Sequence, residues 1–286
     1  MSVEKYSVVI PAKNEAPAIG DVVAGALRLE GCSEVIVVDD GSDDETAEAA
    51  RAAGATVLSH PYSKGNGAAI KSGARNARND VIVFMDGDGQ HAVGDIPRLL
   101  DKLSEGYDLV VGARGFSSQA SIGRGLANGF YNRLASFMTG HQVDDLTSGF
   151  RAVKRNKFLE FLYLLPNGFS YPTTSTMAFF RAGYSVAYVP ITAKQREGKS
   201  HIRPIQDGIR FLLIIFKIGT LYSPLKIFVP MALSVFAIGA GYYAYTYFSF
   251  GRFTNMSALM FTTSLVIFMV GLVSEQITAL MYRDKS

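Results

Sequence analysis

Over residues 1–200, apolar positions come in short bursts separated by longer stretches of helical periodicity. Ser7–Pro11, Glu34–Asp39, Ala55–Ser59, Val81–Asp86 and Leu109–Gly112 are compact runs rich in Val, Ile or Leu and read as strands. Between them, Pro17–Leu29, Asp44–Ala53, Gly67–Ala77 and Ile96–Glu105 place apolar residues at helical spacing. Ser42, with Glu45 three residues on, has the form of a capping box opening the second helix. Strand and helix in alternation predict an α/β domain with a mostly parallel sheet flanked by helices.

The pattern changes after residue 210. Only seven charged residues follow: Lys217, Lys226, Arg252, Glu275, Arg283, Asp284 and Lys285. Ile227–Phe250 is an uncharged run of 24 residues and Phe253–Ser274 one of 22. A helix crosses a bilayer in about 20 residues, so two transmembrane helices are predicted; helices of a soluble core seldom run this long without charge. The tight link at Gly251-Arg252 makes the spans antiparallel. Lys217 and Lys226 before them, with Arg283 and Lys285 after, place both ends in the cytoplasm by the positive-inside rule. Upstream, Ile202, Ile205, Ile209, Leu212, Leu213 and Phe216 share one helical face, and Arg203, Asp207, Arg210 and Lys217 lie on another. This is the pattern of an amphipathic helix at a membrane interface, as against one packed on the globular domain. The predicted organisation is a cytosolic domain over 1–200, a juxtamembrane amphipathic helix over 201–224 and a two-span hairpin over 225–286.

With 28 Lys and Arg against 25 Asp and Glu, the net charge of +3 gives no electrostatic case for nucleic acid. Residues are 48% hydrophobic and 19% charged, which excludes a disordered chain. The single Cys32 has no internal partner and fits a reducing compartment. Ser7–Ile10 is too short for the apolar core of a secretory signal, so the polar domain is expected to stay on the cytosolic side.

Ligands of open α/β sheets bind beyond the carboxyl ends of the strands, and polar motifs stand at these ends. Pro11-Ala-Lys-Asn-Glu15 follows the first predicted strand, Asp39-Asp-Gly-Ser-Asp43 the second and Asp86-Gly-Asp-Gly-Gln90 the fourth; Lys64-Gly-Asn-Gly67 precedes the third helix. Each alone reads equally as a turn; their succession points to a site. Asp86 and Asp88 offer hard oxygen ligands to Mg²⁺ or Mn²⁺, with Gln90 continuing the spacing. No cluster of Cys and His accompanies them, which disfavours zinc. His91, beside Gln90, reads as an additional ligand or as a supporting residue.

In order, Pro11–Glu15, Val37-Val-Asp-Asp-Gly-Ser42, Asp86–Gln90 and Asp145-Leu-Thr-Ser-Gly-Phe-Arg151 resemble the family-two glycosyltransferases of the A-type nucleotide-diphospho-sugar fold. The likeness covers roughly residues 5–205 and is greatest to dolichol-phosphate mannose synthases and bacterial polyprenyl-phosphate glycosyltransferases. It implies a Rossmann-like transferase domain and a nucleotide-sugar pocket lined by Pro11, Ala12, Asn14, Glu15, Val38, Asp40, Lys64, Gly67, Asp86 and Gly87. Asp86, Asp88 and Gln90 become the metal set, Arg114 of Val111-Gly-Ala-Arg114 a contact to the sugar diphosphate, and Asp145 a border of the acceptor site; Asp88, Arg114 and Asp145 are the catalytic candidates. The chain departs from the family at two places. Gln195-Arg-Glu-Gly-Lys-Ser-His201 stands where an Arg-x-x-Gly-x-Ser-Lys motif is usual, leaving Arg196, Lys199, Gln195 and His201 as alternatives for the diphosphate. Tyr171-Pro-Thr-Thr-Ser-Thr176 supplies no acidic residue where relatives often carry one.

The resemblance implies inverting transfer of a sugar from a nucleotide-diphospho-sugar to polyprenyl phosphate, of undecaprenyl or dolichyl type, at the cytosolic face of the plasma (inner) membrane. A phosphate monoester is largely ionised at neutral pH, its second pKa being about 6, so it attacks without a general base. Arg124 and Arg133, in the Gly-rich segment Ser117–Arg133, are the candidates for the acceptor phosphate together with Ser200. The competing readings are a membrane glycosyltransferase acting on a diacylglycerol or glycan, and a non-catalytic membrane scaffold with a degenerate transferase domain. A homo-oligomer is compatible with either.

Overall fold

The computed structural model describes residues 5–114, 122–168, 170–192, 216, 219, 220 and 222–283. They fall into two compact units, divided between residues 201 and 202.

The first unit is built on a seven-stranded sheet. Its strands are β1 (Tyr6–Ala12), β2 (Cys32–Asp39), β3 (Thr56–Ser59), β4 (Val81–Phe84), β5 (Leu109–Arg114), β6 (Arg151–Lys154) and β7 (Val186–Ile191), in the spatial order β3-β2-β1-β4-β6-β5-β7. Every pairing is parallel except those of β6, which runs antiparallel between β4 and β5. Helices α1 (Ala16–Leu27), α2 (Thr46–Ala52), α3 (Asn66–Asn76), α4 (Ile96–Ser104), α5 (Ile122–Thr139), α6 (Arg155–Glu160) and α7 (Tyr171–Arg181) connect the strands. The central strands β1 and β4 are buried along their whole length, so they read as unbroken apolar runs. The predicted α/β architecture is the one found. The β2–β1–β4 order puts a switch point between β1 and β4, where connections leave in opposite directions and a crevice opens.

Local chemistry moves several predicted boundaries. The Ser42–Glu45 capping box does not form: Ser42 Oγ accepts the Asn14 N–H (3.0 Å), and α2 begins at Thr46 with no side-chain cap from Glu45. Instead, side chains stitch the β1–α1 turn to the β2–α2 turn. Glu15 N–H donates to Thr46 Oγ1 (2.8 Å), Ala16 N–H to Asp44 (3.2 Å) and Asp43 N–H to Asn14 Oδ1 (2.9 Å). Asn14 adopts φ 56°, which a short amide side chain tolerates. Strand β4 stops at Phe84; the Met85 N–H still reaches Val9 O (3.2 Å), and the chain then turns, freeing Asp86 from the ladder.

The second unit holds α8 (Pro224–Phe250) and α9 (Asn255–Arg283), antiparallel helices joined through Gly251. Both have apolar windows long enough to cross a membrane, over Pro224–Phe250 and Asn255–Met281, and only 11% and 17% of those windows is buried. Helices of a soluble core would be covered; these present apolar faces outward, as a lipid solvent requires. They meet through small and hydroxyl residues: Ser264 Oγ donates to Ala232 O (2.8 Å), and Gly239 and Gly271 let Met260 and Phe228 approach. The predicted amphipathic helix over 202–217 lies almost entirely outside the described residues.

A close backbone approach holds the crevice's outer wall. The 165–168 turn lies on the start of α3: Ala68 N–H donates to Asn167 O (3.1 Å), and Lys71 Nζ to Leu165 O (3.1 Å). A Cβ on Gly67 would stand 2.1 Å from Pro166 O, whereas one on Gly94 meets nothing within 4 Å. Gly67→Ala is therefore expected to destabilise the protein by about 1–3 kcal/mol, the cost typical of overpacking. Gly94→Ala should be near neutral in the same thermal unfolding measurement.

Candidate active site

A cleft of about 540 Å³ opens at the switch point. Its lining includes Pro11, Ala12 and Glu15 after β1, Asp40 after β2, and Asp86, Gly87 and Asp88 after β4. Strand ends far apart in sequence are brought together here because their strands are neighbours in the sheet. Lys13, Ser63, Asn66 and Ala69 also line it and are additions to the predicted set. Lys13 and Asn66 lie inside motifs singled out above, whereas nothing local in the sequence marks Ser63.

Asp40 sits in the cleft with its carboxylate fully engaged. It accepts from His60 Nδ1 (2.7 Å), Ser63 Oγ (2.8 Å) and the backbone N–H groups of Lys64 and Gly65 (2.8 Å each). Burial acts to raise its pKa, but these donors outweigh burial and hold it below the usual carboxylate range. Asp40 thus fixes the 60–65 loop that forms one wall. His60 passes the restraint on to α3 through Ser72 Oγ (2.9 Å).

Several predicted nucleotide contacts have other places. Val38 is wholly buried in the core, packed with Val9 where Gly73 of α3 approaches the sheet. The Asn14 amide joins two turns, as described above. The Lys64 ammonium lies over the Tyr62 ring at 5.7 Å, and Gly67 faces the 166–168 backbone. The first N–H groups of α1 are taken by Thr46 and Asp44, so this helix start is not open to a phosphate. Charge for an anion must come from side chains or a cation.

The carboxylates beyond β4 suit a cation shared with a ligand. Among the described residues, no three Asp, Glu, His or Cys side chains form a metal cage. Two carboxylates in an open cleft match Mg²⁺ or Mn²⁺, which complete their shell with substrate phosphate and water; Gln90 follows on the same turn but is not part of the cleft's lining. Gln90 N–H donates to Asp88 Oδ1 (3.1 Å), which shapes this turn. Asp86 is pressed from behind: a Cβ on Gly149 would fall 3.1 and 3.2 Å from its two oxygens, closer than most side-chain contacts.

Arg114 and Asp145 form an ion pair. Nε donates to Oδ2 (2.8 Å) and Nη2 to Oδ1 (3.1 Å), and Nη2 also reaches Thr147 Oγ1 (2.7 Å). Asp145, 5% exposed, further accepts the N–H groups of Thr147 (3.0 Å) and Ser148 (3.1 Å). Burial would raise the Asp145 pKa, but Arg114 and these donors hold it low; desolvation opposes the Arg114 charge, and Asp145 more than restores it. Among the described residues, both oxygens of Asp145 are thus occupied by donors, and its carboxylate fixes the Arg114 guanidinium. Asn132 of α5 clamps the same loop, donating to Asp144 O (2.5 Å) and accepting from Leu146 N–H (3.0 Å).

Beneath this loop lies Arg151, with 0% of its surface exposed. It donates to Pro172 O (3.1 Å), Ser175 Oγ (2.7 Å), Thr176 Oγ1 (3.3 Å) and Ser148 O, and has no carboxylate among these partners. Burial lowers its pKa. In the stretch Tyr171–Thr176, which carries no acid, the Tyr171 hydroxyl donates to Gly149 O (3.3 Å). Arg133 is exposed on α5, and Arg124 lies in that helix's first turn. Gln195, Arg196, Lys199, Ser200 and His201 lie outside the described residues.

Comparison with known proteins agrees with this geometry. Residues 7–162 match the model of glycosyl transferase family 2, and residues 223–280 match that of the GtrB C-terminal hairpin. Glycosyltransferase AglJ of Haloferax volcanii is 30% identical over 96% of this chain and 93% of its own. The dolichyl-phosphate hexose transferase of the same organism is 34% identical over 72% of this chain and 90% of its own. An undecaprenyl-phosphate 4-deoxy-4-formamido-L-arabinose transferase of Klebsiella pneumoniae is 36% identical over 54% of this chain and 50% of its own. Among solved structures, Mycobacterium tuberculosis glucosyl-3-phosphoglycerate synthase, in complex with Mn²⁺, uridine diphosphate and phosphoglyceric acid, superposes with a TM-score of 0.60. It shares 25% identity over 76% of this chain and 78% of that one. The chain belongs to glycosyl transferase family 2.

The low Asp145 pKa has a consequence for acid stability. A carboxylate depressed on folding stabilises the protein above its unfolded pKa, and that contribution is lost as pH falls through the folded value. Asp145→Asn is expected to cost about 2–3 kcal/mol at neutral pH, the scale of charged hydrogen bonds left unmade. The gap to wild type should shrink on acidification when both are unfolded in denaturant series at several pH values.

Proposed function

We propose that this member of glycosyl transferase family 2 transfers a sugar from a nucleotide-diphospho-sugar to a polyprenyl phosphate, with inversion at the anomeric carbon. The observation that carries the reading is one cleft in which Pro11, Glu15 and Asp40 face Asp86 and Asp88. The first group walls a nucleoside pocket; the second meets the diphosphate. The polyprenyl-phosphate transferases among the relatives supply the acceptor class, and the apolar hairpin is what an enzyme of a lipid acceptor needs.

Asp86, Asp88 and Gln90 would hold Mg²⁺ or Mn²⁺. Such an ion, when bound, neutralises charge on the departing diphosphate. Arg114, fixed by Asp145 and within electrostatic reach of Asp86, would contribute its guanidinium to the phosphates. An oxygen of the acceptor phosphate forms the new bond to the anomeric carbon as the bond to the diphosphate breaks. The electron pair leaves with the nucleoside diphosphate, and no proton is transferred. That balance supports a phosphate acceptor over a hydroxyl one, since Tyr171–Thr176 supplies no acid that could serve as base. An intact pair of carboxylates in an open cleft supports catalysis over a degenerate scaffold. The hairpin anchors the domain at the bilayer, with both ends on the cytoplasmic side by the arrangement of flanking Lys and Arg.

Arg124 and Arg133 on α5 are assigned to the acceptor phosphate. Asn132, clamped to the Asp145 loop, holds this helix next to the pair that orients Arg114.

The test is incubation of the full chain with radiolabelled nucleotide-sugars, polyprenyl phosphate and Mg²⁺ or Mn²⁺. Label should appear in a lipid-soluble product labile to mild acid, and Asp88→Asn should abolish it while circular dichroism stays unchanged. Turnover by that variant at the wild-type rate would refute the metal assignment. Arg133→Ala should raise the KM for polyprenyl phosphate about 10-fold, since a charged hydrogen bond contributes about 1.5–3 kcal/mol. Nucleotide affinity measured by calorimetry without lipid should stay constant; a fall there would put Arg133 in the donor site.

A further inference from the structure

The turn after β4 carries one more chemical group with no assigned role. His91 follows Gln90, its side chain is 4% exposed, and Nε2 stands 3.4 Å from Asp86 Oδ2. The imidazole stacks on Phe150, centroid to centroid at 5.1 Å with 18° between planes. Its other nitrogen, Nδ1, is buried with no hydrogen-bond partner among the described residues.

We propose that His91 is a positioning residue for the metal carboxylate, its Nε2 edge set against Asp86 Oδ2 at ion-pair distance while Phe150 holds the ring. The inference rests on the assignment of Asp86 as a ligand of the divalent cation. A histidine that only filled space would gain nothing from its nitrogens, because a buried polar atom without a partner is costly. Phenylalanine would stack on Phe150 equally well and leave no orphan. The polar edge is explained by what it faces: the Nε2 side meets the carboxylate.

The other surroundings of Asp86 complete the restraint. Gly149 closes one side tightly and is itself held by the Tyr171 hydroxyl. The Asp86 side chain remains 36% exposed, and among the described residues neither of its oxygens accepts a hydrogen bond. A carboxylate braced by histidine and glycine, with its oxygens free of hydrogen-bond donors, is preorganised for a cation. Gly149 and Phe150 both lead into β6, so the antiparallel strand braces the carboxylate and its histidine together.

Phe and Gln substitutions separate this role from packing. His91→Phe keeps the stack and removes the polar edge; His91→Gln loses the stack and restores a polar group near the Nε2 position. The readout is Mn²⁺ affinity of the full chain in detergent, by electron paramagnetic resonance, with UDP and in parallel with GDP. His91→Phe is expected to weaken Mn²⁺ about 10-fold or more, as outer-shell losses do, with metal-free nucleotide affinity and melting temperature near wild type. His91→Gln should recover much of the loss. Wild-type Mn²⁺ affinity in His91→Phe would overturn the proposal, as would equal losses in both variants or no Mn²⁺ binding by the wild-type chain with either nucleotide. The readout involves no lipid, so Mn²⁺ binding that depends on His91 would stand even if no lipid product formed in the transfer assay.

Discussion

The ion pair between Arg114 and Asp145 is the contact on which the working end of the sheet depends. Arg114 ends β5, and Asp145 opens the loop that returns the chain as β6. Joined by three hydrogen bonds, two from the guanidinium and one from the Arg114 backbone N–H, they fix where that loop runs. Everything set by the loop follows: Asn132 ties α5 to it, Gly149 presses on Asp86, and Phe150 stacks on His91. The pair is mostly enclosed, so its electrostatics are little screened, and desolvation is offset by the Thr147 and Ser148 N–H groups. One ion pair thus connects α5, Arg114 and Asp86.

Much of the sheet was legible in the sequence because buried parallel strands leave a loud signal. Val8–Ile10, Val35–Val38 and Val81–Met85 are apolar without interruption, and the polar residues after them had nowhere else to be. Strand β6 was silent for the opposite reason. It is four residues long and begins with Arg151, whose burial is made possible by carbonyl and hydroxyl oxygens of Ser148, Pro172, Ser175 and Thr176 that only the fold assembles. The site divides along the same line. Pro11, Asp40, Asp86 and Asp88 stand at strand ends and were readable as a group. His60, Ser63 and Asn132 act through one or two side-chain hydrogen bonds to residues distant in sequence and carry no local pattern. Asn14 and Val38 mark the limit of motif reasoning: within a motif, some residues touch ligand and others hold neighbouring residues in place.

The two units divide the task by solvent. In the first, polar groups are gathered at one end of a sheet whose interior is dry. In the second, apolar side chains face outward and the helices meet through glycine and serine, as suits lipid rather than water. A soluble enzyme would meet a polyprenyl chain only rarely; one anchored at the bilayer meets it at high local concentration. The acceptor's own charge fits the absence of an acid in the stretch Tyr171–Thr176: a phosphate arrives ready to attack, so the site needs cations and a leaving-group partner more than a base.

The bond made to the acceptor is the most direct test of this account. Lipid product from the full chain, purified and examined by proton and phosphorus NMR, should show an anomeric proton coupled to a single phosphorus. The anomeric configuration should be opposite to that of the donor. A lipid glycoside without phosphorus coupling, or one that retains the donor's configuration, would contradict it.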